Sequence, residues 1–293
     1  MKILGIEASG LVASVAVVED GLLKGEFTVN NRLTHSETLL PMLEQLLQLL
    51  KLEPEELDAI AVSAGPGSFT GLRIGAATAK GLALALNKPV VRVSSLAALA
   101  FNLIHAGDCV ICPLMDARRG QVYCAAYQDG LELIPEQACD IHSFLAQLNE
   151  LDTCAENHFI FLGDGVPVHQ ETIADEIADV YTFATAENNR QRAASVAELG
   201  RLLYRKWLRE QGLTVEEVFS SGADAIHCFN EIVMNSDELT PEYLRKPQAE
   251  RELEAGQLED PGLHSLKKMQ QEARRRKDRR ATPEAGKSPE ESI

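Results

Sequence analysis

The sequence predicts an α/β protein of two related lobes, each a mixed sheet with flanking helices. Three observations carry that expectation. Hairpin-type strand segments open the chain and then give way to alternating strand and helix patterns. The same order recurs loosely after about residue 104. The chain has 293 residues, which at roughly 150 per domain is enough for two cores.

The first strand segments lie between residues 3 and 18, where apolar residues run around an interruption at Gly5 and Gly10. Asp20-Gly21 is a hairpin signal, and a third strand is expected over Leu22 to Val29. A helix follows from about Thr34 to Lys51, then a strand at Ala59 to Ser63, a Gly-rich turn, a helix from Thr70 to Leu86 and a strand at Val90 to Val93. The second half offers strands at Val110 to Met115, Gln121 to Tyr127 and Leu131 to Ile134. A helix at Ile141 to Leu148, a strand at His158 to Leu162 and a helix at Ser195 to Glu210 complete it. The resulting division is an N-terminal lobe over 1–103, a C-terminal lobe over 104–250 and a basic tail over 251–293 that is too polar to fold alone.

Composition narrows the function classes. Hydrophobic residues make up 45% and charged residues 25%, which excludes collagen, low-complexity and disulfide-scaffold readings. Even the apolar stretch from Ile74 to Leu86 is cut by Lys80, so no membrane span is expected. Glu7 stands where a signal peptide would continue its apolar run, so a cytoplasmic protein is expected. Of 28 basic and 44 acidic side chains, Leu263 to Ile293 holds nine and five, net +4, leaving 19 and 39 in the body, net −20. Such an acidic body does not draw in nucleic acid by its long-range field.

Metal and redox motifs are weak. Cys109-x-x-Cys112 falls within a strand pattern, where positions three apart point to opposite faces, so the six scattered cysteines read as core thiols in a reducing compartment. The seven histidines form no i, i+4 pair and no metal site is expected. Neither Gly-x-Ser-x-Gly nor His-Glu-x-x-His is present.

The strongest segment is Gly65-Pro66-Gly67-Ser68-Phe69-Thr70-Gly71-Leu72-Arg73-Ile74-Gly75, placed between a strand and a helix, where backbone N–H groups could cradle an anion. A Walker loop would need Lys-Ser/Thr after its second glycine, and Leu72-Arg73 follows Gly71 instead. A dinucleotide fingerprint would need a two-residue last gap and an acid closing the next strand, which here ends Arg92-Val93-Ser94-Ser95. The plainer reading is a tight turn capped by Ser68 or Thr70, opening a helix on which Gly71, Gly75, Ala79 and Ala83 form an i, i+4 column of small residues.

This segment resembles the TsaB family, also called YeaZ. So do Ile3-Leu-Gly-Ile-Glu-Ala-Ser9, Ala79-Lys-Gly81, Asp116-Ala-Arg-Arg-Gly-Gln-Val-Tyr123, Gly163-Asp-Gly165 and Tyr243-Leu-Arg245. The likeness covers roughly residues 1 to 250 and leaves the tail unexplained. It implies an actin/Hsp70/sugar-kinase-like (RNase H-like) fold. It also implies a role in making threonylcarbamoyladenosine (t6A) in tRNA, beside a TsaD-like catalytic subunit that carries nucleotide and metal and works with a TsaE-like ATPase. In TsaD the strand after this helix runs into a His-x-x-x-His metal pair, and the matching positions here are Ser95 and Leu99. Phosphate-binding members of the superfamily, and most TsaB-like chains, carry Asp, often followed by Thr, where this chain has Glu7-Ala8. The resemblance therefore implies a non-catalytic scaffold subunit without a cofactor of its own. A vestigial nucleotide site is expected, if anywhere, at the complex interface, and tRNA is contacted only through the complex. The competing class is a stand-alone small-molecule kinase or ATPase of the same fold.

The helix from Thr34 to Lys51 has an apolar arc of about 180°, wider than one buried face needs. Leu39, Leu43, Leu46, Leu47 and Leu50, with Gly71, Gly75, Ala79 and Ala83, are therefore expected to form the docking face for the TsaD-like partner or, without one, for a second copy of the chain, the alternative being a helix sunk deep between sheet and loops.

Overall fold

The computed structural model describes residues 1–30, 34–151, 158–215, 233–234 and 238–244. The basic tail, Arg245, Cys154, Cys228, His227 and His264 lie outside them.

The first sheet begins with β1 (Lys2–Glu7), β2 (Ala13–Glu19) and β3 (Leu22–Val29), an antiparallel meander. β4 (Ala59–Gly65) joins β1 in parallel and β5 (Val90–Ser94) joins β4 in parallel. Among the described residues, with the short β11 (Val233–Met234), the order is β11-β5-β4-β1-β2-β3. Side-chain alternation splits this sheet into two buried faces. Leu4, Ile6, Val15, Val17, Ile60 and Val62 face α1 (His35–Leu50) and α2 (Phe69–Leu86), whereas Ile3, Val18, Ala61, Val91 and Val93 face the other way.

The second sheet has the order β10-β9-β6-β7-β8 among the described residues. Its strands are β6 (Val110–Arg118), β7 (Gln121–Gln128), β8 (Leu131–Asp140), β9 (His158–Leu162) and β10 (Val180–Phe183). Again a meander comes first and parallel partners follow, β6 with β9 and β9 with β10. α4 (Ile141–Asn149) and α5 (Val166–Glu176) cover one face through Phe144, Leu145, Leu148 and Ile173. α3 (Ser95–Phe101) covers the other through Leu96, Leu99 and Ala100. The two sheets and their shared order form the two-lobed actin/sugar-kinase type of fold that the family resemblance implied.

One expectation about domain limits needs correcting. α6 (Ala193–Gln211) lies inside the segment assigned to the second lobe, 104–250, yet it packs on the first sheet. Val196, Ala197, Tyr204, Trp207 and Leu208 fill the face made by Ile3, Val18, Ala61, Val91 and Val93. Close backbone approach makes this possible: a side chain at Gly5 would strike the Ala193 carbonyl, and one at Gly200 would strike Ala61. Polar ties fix the helix start, since Ala193 N donates to Ser14 Oγ at 3.1 Å and Arg192 pairs with Glu26 at 2.6 Å. The chain thus begins and ends its first lobe on either side of the second.

Candidate functional site

The Gly-Pro-Gly segment forms the turn between β4 and α2. Gly65 sits at φ +127°, a conformation that L side chains rarely adopt, and a side chain there would meet the Glu242 carbonyl. Ser68 is the N-cap of α2, its Oγ accepting from Gly71 N at 3.4 Å. That matches the plainer reading of the motif. Ser68 N donates to the Ser9 carbonyl at 2.7 Å, and a Cβ at Gly71 would run into the Ala8 carbonyl. The loop therefore seals against the β1–β2 turn, and the Ser68 and Gly71 amides, two donors that an anion cradle would use, are spent inside the protein.

The β1–β2 turn is closed on itself as well. Glu7 is fully buried, and its Oε1 accepts from both the N and the Oγ of Ser9 at 2.6 Å. Oε2 has no hydrogen-bond partner among the described residues. Burial raises the Glu7 carboxyl above its ordinary value, outweighing the Ser9 hydrogen bonds that lower it, and Asp164 adds to the rise. Asp164 is itself raised by burial, against the lowering effects of its bond from Asp116 N, at 3.3 Å, and of Arg190. In the second lobe, Asp116 turns back to accept from Arg118 N at 2.8 Å. Ser95 and Leu99 are buried on α3, and Leu99 packs against the second sheet. The described residues contain no group of three or more His, Cys, Asp or Glu side chains arranged to hold a metal ion. A nucleotide-metal centre of the kind the wider fold carries does not fit these residues: the carboxylate at the N-terminal turn is buried and bound to its own loop rather than presented.

One cluster was not foreseen. The Phe69 ring lies 5.1 Å from the Tyr243 ring, with the Arg73 guanidinium 3.8 Å from the Phe69 centroid, and Arg73 Nε donates to Tyr243 Oη at 3.2 Å. Glu242 N donates to Ala64 O at 2.6 Å and its carboxylate meets Arg92 at 3.4 Å. The late Tyr243-Leu motif thus folds onto the Gly-Pro-Gly loop. Nothing in the spacing of the two motifs indicates this contact.

The proposed docking residues need the plainest correction. Leu39, Leu43, Leu46 and Leu47 are buried against the first sheet, with Leu50 partly so. Gly71, Gly75, Ala79 and Ala83 also turn inward, and Gly75 approaches Ala8 and Val62. The wide apolar arc of α1 is consumed by packing on β2, β3 and α2. What these side-by-side helices expose is a different set: Leu40 at 55% and Leu49 at 67% among Glu37, Glu44, Gln45 and Gln48 on α1, and Arg73, Ala77, Gly81, Leu84 at 70% and Ala85 on α2. Ala77, Gly81 and Ala85 form a second i, i+4 column, and a Cβ at Gly81 would have nothing within 4 Å.

The fold and these loops define a two-lobed protein of the actin/sugar-kinase type in which the Gly-Pro-Gly loop and the β1–β2 turn are bonded to each other. The model for the family TsaD, tRNA N6-adenosine threonylcarbamoyltransferase, matches residues 30–253. The tRNA threonylcarbamoyladenosine biosynthesis protein TsaB of Bacillus subtilis is 35% identical over 205 residues, which are 69% of this chain and 87% of that protein. The TsaB protein of Haemophilus influenzae is 34% identical over 166 residues, 50% of this chain and 68% of its own. The structure of YeaZ from Pseudomonas aeruginosa superposes with a TM-score of 0.60 at 23% identity, covering 83% of this chain and 99% of that one. This chain belongs to the TsaB family.

Proposed function

We propose that the chain serves t6A biosynthesis as a non-catalytic scaffold that docks a TsaD-like catalytic subunit through the outer faces of α1 and α2. The observation that carries the non-catalytic part is the closed β1–β2 turn. Glu7 is buried and bonded to Ser9, so no carboxylate is offered to a metal-phosphate group. The docking part is supported by the outward Ala77, Gly81 and Ala85 column, which lets another helix come near, and by Leu40, Leu49 and Leu84 around it. Binding a catalytic partner there is consistent with a family whose relatives are named for the t6A pathway. The TsaE-like ATPase then acts on the assembled complex, tRNA is reached through it, and the same face pairs with a second copy when the partner is absent. The chain needs no cofactor of its own and works in the cytoplasm; among the described residues no helix is long and apolar enough to cross a membrane.

The test is co-purification with a TsaD-like protein. Leu84→Glu and Gly81→Arg are expected to keep the native Tm and lose the complex, because a charge would be stranded in an apolar contact. Folded variants that bind with unchanged affinity would move the interface elsewhere. ATP turnover by the purified chain alone, lost in Asp116→Asn, would replace the scaffold reading with the kinase or ATPase one.

A further inference from the structure

Cys124 on β7 and Cys139 on β8 bring their sulfurs to 3.5 Å. In the register Val122 pairs with Cys139 and Cys124 with Gln137, so the two cysteines are diagonal neighbours on one face. The ladder is irregular just beyond Cys124. β8 is an edge strand, with β7 its one sheet neighbour among the described residues, so it can shift toward β7 without disturbing a second pairing. Cys139 is partly exposed, whereas Cys124 is buried. Cys112, on the neighbouring β6, is buried too, and Cys109 packs on the opposite side of that strand.

We infer that Cys124 and Cys139 are a redox pair, a modification site at which peroxide converts the two thiols into a disulfide that staples β8 to β7. The Cys139 sulfur, the accessible one, attacks a peroxide oxygen; the O–O bond breaks, one water leaves and Cys139 becomes a sulfenic acid. The Cys124 sulfur then attacks the Cys139 sulfur, the S–O bond breaks, and the second water carries off the Cys124 proton. Two thiols and one peroxide give one disulfide and two waters. The direction of attack follows from exposure. Cys139 is partly exposed and meets peroxide first, whereas Cys124 is buried, and its contact with Cys139 together with burial pushes its thiol up. The sulfur facing Cys139 is that of Cys124, whereas Cys112 Sγ donates to the Val110 carbonyl at 3.7 Å. The six cysteines give no such pair by spacing, because 124 and 139 become neighbours only through the hairpin.

The full-length chain, reduced and then treated with hydrogen peroxide under native conditions, tests this. Its free thiols are expected to fall from six to four, with a mass loss of about 2 Da and one cross-linked peptide joining Cys124 to Cys139; dithiothreitol reverses all three. Cys124→Ser is expected to trap a dimedone adduct on Cys139 that the wild type lacks. Cys139→Ser is expected to lose the link entirely and leave Cys124 unmodified. A link between any other pair, or wild-type Cys139 passing to sulfinic acid without a link, overturns the proposal. If either variant fails to fold, the wild-type peptide map decides by itself.

Discussion

The two sides of α2 are built from the same residue types and do opposite things. Gly71, Gly75, Ala79 and Ala83 lie against the β1–β2 turn and the first sheet, where backbone approaches backbone. Ala77, Gly81 and Ala85, half a turn away, meet open space. On the inner side smallness is a steric requirement of this chain's own fold. On the outer side nothing in the described residues demands it, so it is free to serve an approaching partner. A helix of small residues therefore has to be judged one face at a time.

The contrast can be broken most severely at the neighbouring α1. Leu39 is 1% exposed and Leu40, its neighbour in sequence, is 55% exposed. Leu39→Ala is expected to cost about 2 to 5 kcal/mol in chemical unfolding, and Leu40→Ala to stay within about 0.5 kcal/mol of wild type. Equal losses would mean that the helix is rotated relative to the arrangement described. On α2 the same substitution should change sign between faces. Gly71→Ala drives a methyl into the Ala8 carbonyl and is expected to destabilise by about 1 to 3 kcal/mol. Gly81→Ala meets no neighbour and is expected to stabilise by up to about 1 kcal/mol through helix propensity. Urea midpoints for the two variants, measured side by side, check this.

How much of this was legible beforehand depends on what periodicity can carry. The meanders, the strands β4, β5 and β9 and the Ser68 cap could be read because alternation and turn chemistry are local. α3 could not, since Ser95 to Phe101 is a short run packed between two sheets, and its apolar residues follow no single stripe. α5 has few buried positions and β10 only four residues at a sheet edge, so neither left a signal. Apolar width on α1 reveals that much surface is buried without saying by what, so the sequence alone does not separate inward leucines from a docking face. The amphipathic pattern of α6 likewise promised a buried side but did not say which sheet it would cover.

The smallest expected effect is a pH dependence at the closed turn, and it sharpens the claim that the first loop is structural. Glu7 has a folded pKa above its unfolded value near 4.5. For an acid raised in this way, the stabilising contribution is complete below about pH 4.5 and is lost as pH climbs through the folded pKa. Glu7→Gln, which keeps the shape and an oxygen acceptor for Ser9, is therefore expected to raise Tm relative to wild type at pH 7 to 8, with the difference vanishing toward pH 4. A difference that grows on acidification would show that the carboxylate is held charged, as a ligand-binding acid would be.

The return of α6 to the first sheet has a consequence for how the molecule is made. A ribosome emits the first sheet early, but the strip formed by Ile3, Val18, Ala61, Val91 and Val93 stays uncovered until Tyr204, Trp207 and Leu208 emerge. The nascent N-terminal lobe must therefore carry an open apolar flank through the synthesis of the entire second lobe, a stage at which exposed strands invite aggregation. Chains released before α6, ending for instance at Arg192, would keep all the strands of both meanders and still be sticky. Completion of α6 is what closes that flank of the first sheet.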